Sequence, residues 1–311
     1  MFEYIFLGTS ASAPSIHRGL SSHIVLYKEH RFLIDAGEGT QRQILRSGLG
    51  FRRIDKILIT HGHLDHILGL AGLLSTFVRW ETINTLELWA PRGAMTRIRD
   101  LVLRVALPNR DNTLPITMHE IEPGVLMEDH GFRLSAFRVP HRGADAFGFE
   151  FQEKARRPFL ADKADALGVP AGPERGELVN GNPVTLADGR VIDPDMVLGA
   201  PLRGAKLVHV GDCGKTQPIF EHCAAADALV IEATYLHADR ELARHFGHLT
   251  ARQAAELARD AGVKQLYLTH ISRRYHERDI IAEARAVFPG AIVARDFTAF
   301  KATKQKDKRK S

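Results

Sequence analysis

The chain has 311 residues, of which 44% are hydrophobic and 25% charged, an ordinary balance for a globular protein of one large domain or two smaller ones. No apolar run reaches the roughly 20 residues of a membrane span, and the N-terminus lacks the features of a secretory signal, so we expect a cytoplasmic protein. Residues 301–311 alone account for the net charge of +5, so a pI of about 9.3 does not by itself indicate nucleic-acid binding. This basic segment is predicted to be a disordered tail, with a sequence-independent phosphate contact as the alternative.

Short apolar runs rich in β-branched residues recur along the chain and predict many strands. In chain order they are YIFLG, HIVLY, RFLID, KILIT, LELWA, RLSAFRV, FGFEF, KLVHV, ALVIE, QLYLT and AIVA. Helical spacing is clearest in TARQAAELARDAG, where Thr250 and Gln253 have capping-box spacing and Gly262 stands where a helix would end. GTQRQILRSGL and DIIAEARAVF are further predicted helices. The predicted class is mixed α/β.

Residues 152–203 interrupt this alternation. They contain six prolines, interspersed with glycines at a similar density. Because such a composition disfavours helix and central strand, we expect an inserted arm without regular structure, within a single domain of residues 1–300. Lys154, Arg156 and Arg157 form a basic cluster at the base of this arm.

A cluster of metal-ligand side chains follows the run KILIT, in the pattern H-x-H-x-D-H of His61, His63, Asp65 and His66. Imidazole and carboxylate suit Zn²⁺ or Mn²⁺, and crowding three imidazoles and a carboxylate without a metal is unfavourable. Neighbouring ligands in a loop point in different directions, so the pattern indicates two ions. His61 and His63 would serve one ion, and Asp65 and His66 the other.

Further ligands are expected at the ends of other predicted strands, because sites in layered α/β proteins gather beyond the carboxyl ends of strands. Asp212 follows KLVHVG, His270 follows QLYLT and His141 follows FRVP. The two oxygens of Asp212 would allow it to bridge two ions. The two cysteines, Cys213 and Cys223, are too few for a disulfide framework or a four-thiolate zinc site. Histidines outside the cluster are interpreted as structural or exposed, namely His30, His119, His222, His237 and His276.

Longer blocks extend the pattern along nearly the whole chain: FLGTSASAP, FLIDAGEGTQRQILRSGL, ITHGHLDHILGLAGLLST, ALGVPAGPERGEL, PVTLADGR, GDC, IEATY and GHLTARQAAELA. In this order they resemble the metallo-β-lactamase superfamily and, within it, the ribonuclease Z family of tRNA 3′-processing endonucleases. H-x-H-x-D-H is typical of the superfamily, whereas DAGEGTQRQ, LGVPAGP and GHLTA are more specific to the family.

The resemblance implies an αβ/βα sandwich, in which two mixed sheets are flanked by helices, with two Zn²⁺ ions per subunit and Mn²⁺ as the alternative metal. It implies one ion on His61, His63 and His141, a second on Asp65, His66 and His270, and Asp212 as the bridge. His248 in GHLTA matches the catalytic histidine of the family, and Glu232 in IEATY matches the glutamate of its H-E-A-T loop.

The function implied is a zinc-dependent endoribonuclease that removes 3′ trailers from precursor tRNA, leaving a 3′-hydroxyl on the tRNA and a 5′-phosphate on the trailer. A hydroxide held between the two ions would attack the phosphodiester. Asp65 would accept a proton from the attacking water, and His248, oriented by Glu232, would protonate the departing 3′-oxygen. Residues 152–203 would form a tRNA-binding arm, and the molecule would be a homodimer.

A few positions depart from the pattern of the family without removing a predicted ligand. They are Leu64, Ile16 and Gly19 of PSIHRG (in which Arg18 is kept), Ile231, and Leu249. They fall in loops expected to handle RNA, so a phosphodiesterase acting on another RNA or on a small cyclic phosphodiester stays open. A thioesterase or lactamase-like hydrolase and a non-catalytic RNA-binding protein are the remaining alternatives.

Overall fold

A computed structural model describes residues 1–107 and 114–304. Residues 301 and 302 belong to the last described strand of the chain, which corrects the predicted start of the disordered tail, and the rest of the tail beyond Lys304 lies outside the described residues. Contacts between Cα atoms divide the chain into two compact units, one of Met1–Gln152 with the chain from Ala205 onward, and one of Glu153–Gly204. Within the described residues, none of the helices has the length and apolar character that crossing a membrane requires.

The first sheet has seven strands in the order β16-β1-β2-β3-β4-β5-β6. Strands β3 to β6 run parallel to one another, whereas β16, β1, β2 and β3 pair antiparallel. The strands are β1 (Phe2–Gly8), β2 (Ser22–Tyr27), β3 (His30–Ile34), β4 (Lys56–Leu58), β5 (Leu86–Ala90), β6 (Ile116–Glu120) and β16 (Ala299–Ala302).

The second sheet also has seven strands, in the order β15-β14-β13-β12-β9-β8-β7. Strands β12 to β15 are parallel, and β9 runs antiparallel to β12. The strands are β7 (Gly124–Glu128), β8 (Phe132–Arg138), β9 (Phe147–Glu153), β12 (Lys206–His209), β13 (Ala228–Glu232), β14 (Leu266–Thr269) and β15 (Ile292–Val293).

Helices cover the outer face of each sheet. The helices after the strands of the first sheet are α1 (Thr40–Arg46), α2 (Leu64–Ile67), α3 (Leu70–Trp80) and α4 (Arg92–Arg99), which continues as a π-helix, Asp100–Ala106. Those of the second sheet are α8 (Phe220–Cys223), α9 (Arg240–Phe246), α10 (Ala251–Asp260) and α11 (Glu277–Arg285), with 3₁₀ turns at Gln217–Ile219 and His237–Asp239.

Three apolar clusters show why these elements form a sandwich. An aromatic-rich cluster, which includes Phe2, Phe132 and Phe149, lies between the inner faces of the two sheets. The two other clusters join each sheet to its own helices. Strand β13 shows the alternation, because Val230 packs between the sheets whereas Ile231 packs against the helices. The predicted αβ/βα sandwich is confirmed.

The predicted elements of the main unit are present. All eleven apolar runs are strands, and the three predicted helices are α1, α10 and α11. The capping box of Thr250 and Gln253 is formed on both sides, and Gly262 has a φ of +66° just after α10. Strands β6, β7 and β16 were not predicted, because they are exposed on one or both faces and lack an apolar run.

The unit Glu153–Gly204 corrects the expectation of an arm without regular structure. It contains α5 (Ala161–Ala166), α6 (Pro173–Val179), α7 (Pro194–Val197) and a hairpin of β10 (Val184–Thr185) and β11 (Val191–Ile192). Pro173 and Pro194 each occupy the first turn of a helix, where a missing N–H costs nothing. A small core formed by side chains such as Ala164, Leu178 and Ile192 holds the unit together.

Candidate metal and catalytic centre

Loops that follow strands of both sheets bring the seven predicted metal ligands together. The segment after β4 supplies four of them, and the segments after β8, β12 and β14 supply one each. The donor atoms form two groups, in each of which all atoms lie within 4.8 Å of one another. The groups are His61, His63, His141 and Asp212 on one side and Asp65, His66 and His270 on the other.

The carboxylate of Asp212 lies between the two groups and turns one oxygen to each. Its Oδ2 is 3.6 Å from His61 Nε2 and 3.7 Å from His141 Nε2. Its Oδ1 is 3.5 Å from His66 Nε2 and 3.3 Å from His270 Nε2. A carboxylate in this position can serve a metal ion on each side.

The remaining two side chains complete the groups. His63 presents Nδ1 at 3.3 Å from His141 Nε2. Asp65 Oδ2 is 3.4 Å from His270 Nε2 and 3.7 Å from His66 Nε2. Most of these separations are longer than a normal hydrogen bond. The metal-ligand atoms of each group therefore surround a shared position and do not pair with one another.

Buried polar atoms without partners provide a direct test of whether a metal fits this cluster. Nε2 of His61, Nε2 of His66 and Oδ1 of Asp212 are buried and have no hydrogen-bond partner among the described residues. Orphaned buried polar atoms are unfavourable, and here all three face the same cluster. The donor set of imidazoles and carboxylates therefore fits divalent ions such as Zn²⁺.

A buried network around Asp35, here the Asp35 network, fixes His61 and His66. Asp35 Oδ2 accepts a hydrogen bond from Nδ1 of His66 at 2.7 Å and another from the hydroxyl of Thr60 at 2.8 Å. Because this hydroxyl donates its proton to Asp35, it accepts from Nδ1 of His61, 3.1 Å away. Both imidazoles thereby present Nε2 to the cluster, and this is the atom through which each would bind a metal ion.

A second network around Glu232, the Glu232 network, has the same construction in the other sheet. Glu232 is fully buried at the end of β13, and its Oε1 accepts from Nδ1 of His248 at 2.9 Å and from the backbone N–H of Cys213 at 2.6 Å. Its Oε2 accepts from the hydroxyl of Thr234, which in turn accepts from Nδ1 of His270 at 3.0 Å. One carboxylate thus orients both His248 and His270.

His141 is oriented by the backbone instead. Its Nδ1 donates to the carbonyl oxygen of Gly247 at 2.8 Å, so its Nε2 faces His63 and Asp212. Gly247 has a φ of +75°, and a Cβ there would lie 2.7 Å from the backbone nitrogen of Arg142. Only glycine meets both conditions without strain.

Three non-glycine residues of the site adopt left-handed backbone conformations. Ser12, Asp35 and His270 have φ values of 57°, 57° and 54°. The N–H of Ser12 donates to Oδ2 of Asp65 at 2.9 Å, so this conformation turns a backbone donor toward a predicted ligand. Such strain is typical of positions where function fixes the geometry.

Burial and neighbouring charges shift the pKa values of the ionisable groups in the cluster in different directions. Burial lowers the pKa of His61 well below its usual range, and the neighbouring His66 lowers it further. Burial would also lower the pKa of His66, but Asp212 and Asp35 raise it to about 10. Although burial opposes ionisation of Asp212, the surrounding histidines, His270 first, hold its pKa well below the usual range. The cluster thus keeps its carboxylates ionised.

His248 lies beside the cluster, and Nδ1 is 4.0 Å from Asp212 Oδ2. Burial would lower the pKa of His248, but the adjoining Glu232 carboxylate raises it to about 9. A histidine that keeps its proton near neutral pH can act as a general acid.

A cleft of about 580 Å³ opens beside His63 and His248. Its walls include Tyr235, Phe246, Arg273 and Arg274. It therefore combines the predicted chemical groups with aromatic and cationic side chains.

Every predicted site residue lies in or beside the cluster, whereas Asp35, Thr60 and Thr234 were not predicted. Asp35 ends the run FLID just after β3, so the rule that placed Asp212 and His270 could have found it. Two of the departures from the family pattern, Ile231 and Leu249, are buried in an apolar cluster. Their side chains pack behind the site, which the loop motifs alone do not show.

Two further departures, Leu64 and Ile16, are on the surface. Leu64 is 54% exposed and Ile16 is 91% exposed. Either side chain is therefore available to a substrate or partner.

Two family models match the chain. The model described as anti-Pycsar protein Apyc1 matches residues 2–164, and the model of the beta-lactamase superfamily domain matches residues 183–271. The first match includes His61, His63, Asp65, His66 and His141, and the second includes Asp212, Glu232, His248 and His270.

Relatives that match over their full length carry the name ribonuclease Z. The protein from Bradyrhizobium diazoefficiens is 46% identical over 300 residues, which are 96% of this chain and 98% of the relative. The protein from Archaeoglobus fulgidus is 38% identical over 307 residues, which are 97% of this chain and 98% of the relative. The crystal structure of the short form of human tRNase Z matches with a TM-score of 0.68 at 27% identity, covering 96% of this chain and 99% of that one.

Proposed function

The chain belongs to the ribonuclease Z family of metallo-β-lactamase-fold enzymes, and from this premise we propose that it removes the 3′ trailer from precursor tRNA. It is a hydrolase of the endoribonuclease class, and its products are a tRNA with a 3′-hydroxyl and a trailer with a 5′-phosphate. The observation that carries the proposal is the convergence of seven ligand-type side chains on one buried cluster with His248 beside it.

Two metal ions would be held by the two groups of donor atoms. His61, His63 and His141 would hold one ion, Asp65, His66 and His270 the other, and Asp212 would span both. Zn²⁺ is the proposed metal because tetrahedral sites of imidazole and carboxylate are typical of it, and Mn²⁺ is the alternative. When bound, the ions would activate a water molecule and neutralise charge on the phosphoryl oxygens.

The chain itself supplies the groups that move protons. The carboxylate of Asp65, held by the N–H of Ser12, would accept a proton from the attacking water. His248 would donate a proton to the 3′-oxygen that leaves the phosphorus, and Glu232 would keep the imidazole oriented and protonated. The leaving oxygen belongs to the last nucleotide that remains on the tRNA.

The unit Glu153–Gly204 is proposed to be the tRNA-binding arm. The matches to ribonuclease Z relatives cover at least 94% of the chain, so they are not confined to the catalytic loops. The block LGVPAGP occupies the connection between α5 and α6. Many cations of the unit are paired with carboxylates, as in Arg157 with Asp195 and Arg175 with Asp165. The arm would therefore recognise the shape of tRNA rather than act only through net charge.

A homodimer and a cytoplasmic location complete the proposal, and both rest on the family resemblance alone. Sedimentation analysis of the purified protein would test the first.

The decisive experiment compares substrates with one zinc-loaded preparation. We expect precursor tRNA to be cleaved at the trailer junction with a kcat/KM far above that for a cyclic nucleotide. Mapping the ends should give a 3′-hydroxyl and a 5′-phosphate. Cleavage of the cyclic nucleotide without cleavage of the precursor would instead establish a small-molecule phosphodiesterase.

Removal of the arm gives a second, independent comparison. A variant that lacks residues 155–200 should retain activity on a small aryl phosphodiester and lose activity on precursor tRNA. Equal losses on both substrates would contradict a role in tRNA binding.

A further inference from the structure

The wall of the cleft beside His248 contains an aromatic side chain that the core does not use. Phe246 is the last residue of α9, two residues before His248, and it is 46% exposed. It belongs to none of the apolar clusters of the described residues, and its nearest ring contact is an edge contact with His245. Because the exposed ring lines the cleft that contains His248, it is available to a ligand bound there.

A second aromatic ring lines the same cleft. Tyr235 is half-buried, and its ring centroid is 6.0 Å from that of His248 at an interplanar angle of 41°. Tyr235 and Phe246 therefore line the same cleft as His248.

Two cations are also available in this cleft. Arg273 and Arg274 are exposed, and neither guanidinium makes an ion pair or side-chain hydrogen bond with another described residue. Most other arginines near the site have partners, such as Arg18 and Arg295, which both bind Glu277. Unpaired guanidinium groups beside exposed aromatic rings are typical of a surface for single-stranded nucleic acid.

The chemistry of the proposed function identifies which nucleotide would lie here. His248 protonates the 3′-oxygen that leaves, so the ribose bearing that oxygen must lie within hydrogen-bond reach of the imidazole. The base on that ribose is then expected to contact the aromatic residues that line the cleft with His248. Those residues are Tyr235 and Phe246.

We propose that Phe246 and Tyr235 form a stacking subsite for the base immediately 5′ of the scissile bond, with Arg273 and Arg274 contacting phosphates of the same strand. This inference rests on the proposed function, because it assigns the subsite from the leaving 3′-oxygen. Stacking accepts any of the four bases, so the subsite would position the substrate without requiring one sequence.

The test combines a change in the protein with a change in the substrate. Precursor tRNA with a natural base 5′ of the cleavage site is compared with the same RNA carrying an abasic nucleotide there. Phe246→Ala should lower kcat/KM on the natural RNA by about tenfold, the loss typical of one stacked base. On the abasic RNA, where the wild type has already lost this contact, Phe246→Ala should change kcat/KM by less than about twofold.

Two further variants control for other effects. Phe246→Tyr keeps the ring and should restore most of the activity. Trp80→Ala removes an exposed ring on α3, which is 57% exposed outside the cleft, and should leave both substrates unaffected. Thermal midpoints verify that each variant is folded.

The outcomes separate the two proposals. An equal loss for Phe246→Ala on natural and abasic RNA, or no loss on either, would overturn the stacking subsite while wild-type cleavage of the natural precursor upholds the proposed function. Failure of the wild type to cleave the natural precursor would overturn the proposed function and the subsite with it.

Discussion

Two buried carboxylates, Asp35 and Glu232, orient the histidines of the site by the same arrangement. Each accepts directly from the Nδ1 of one histidine and, through the hydroxyl of a threonine, fixes a second. Asp35 follows β3 in the first sheet, and Glu232 ends β13 in the second.

The two networks differ in what their histidines do. Both histidines of the Asp35 network, His61 and His66, are proposed metal ligands. The Glu232 network fixes one proposed ligand, His270, and one proposed acid, His248. The same arrangement therefore serves metal binding alone in one sheet, whereas in the other it also controls a proton. Substitutions in the two networks should consequently separate loss of metal from loss of proton transfer.

The largest effect is expected where the two networks meet. Asp212→Ala removes the carboxylate that faces both groups of donors, so metal content should fall toward zero and kcat/KM for precursor tRNA by at least about 10³-fold. Elemental analysis and trailer release measure the two effects. Asp260→Ala, which removes an exposed carboxylate paired with Arg259, is the control. Near-normal activity of Asp212→Ala would rule out its proposed role as a bridge.

His248→Ala should remove the proposed general acid from the Glu232 network and leave the contacts that orient His270 in place. We expect kcat to fall by about 10²- to 10⁴-fold, the usual contribution of a general acid, while metal content stays unchanged. RNA affinity from filter binding should change much less than kcat. An unchanged rate would show that another group protonates the leaving oxygen.

Asp35→Asn should affect metal binding instead. Loss of the charge behind His66 and Thr60 is expected to weaken metal affinity by about 10- to 100-fold, as is usual for groups that orient ligands. Added Zn²⁺ should therefore restore much of the activity of this variant, but none of the activity of His248→Ala. Equal responses of the two variants to zinc would remove the distinction between the networks.

The pH dependence of Glu232→Gln provides a finer test. Because the carboxylate raises the pKa of His248, its neutralisation lowers that pKa, and the acid loses its proton at a lower pH. The decline of kcat at alkaline pH should accordingly shift toward neutral pH, with a smaller loss at pH 6 than at pH 8. Asp35→Asn is the matched control, since it lies outside the Glu232 network. A loss that does not vary with pH would contradict the proposed role of Glu232.

The threonines should give the smallest effects. Thr60→Val and Thr234→Val each leave one imidazole Nδ1 without its acceptor. The loss of one such hydrogen bond should lower metal affinity roughly tenfold. Thr60→Val should change metal affinity only, whereas Thr234→Val should change both metal affinity and kcat, since it also removes a donor to Glu232. Metal titration measures the affinity, and single-turnover kinetics measure the rate. A lower rate for metal-saturated Thr60→Val would contradict this prediction.

The sequence predicted the ligand set because all its members follow apolar runs, and the sandwich brings the ends of those runs together. Asp35 follows the same rule and could have been found by it, but its role is to orient His66 and Thr60 and not to serve as a ligand. Thr60 and Thr234 could not be predicted, because each acts by joining a histidine to a carboxylate that is distant in the sequence. Thr60 joins His61 to Asp35, and Thr234 joins His270 to Glu232. The burial of Ile231 and Leu249 could not be predicted for a related reason, since a loop motif does not show which side chains turn into the core.

The arm shows the limit of composition as a guide to structure. Its prolines argued against helix, yet Pro173 and Pro194 begin helices. Their favourable position in the first turn could be recognised only once the helix boundaries were known. The small core of the arm likewise has no long apolar run that would announce it.

The origin of the ligands in both sheets affects how the protein is made. The first ligands in the chain, His61 to His66, follow β4, whereas His270 follows β14, which is more than 200 residues later. A ribosome-bound chain that ends before His270 cannot assemble the complete site, even if the first sheet has already folded. Metal loading would therefore mark the end of folding, and the bound ions would hold the two halves of the sandwich together from that point on.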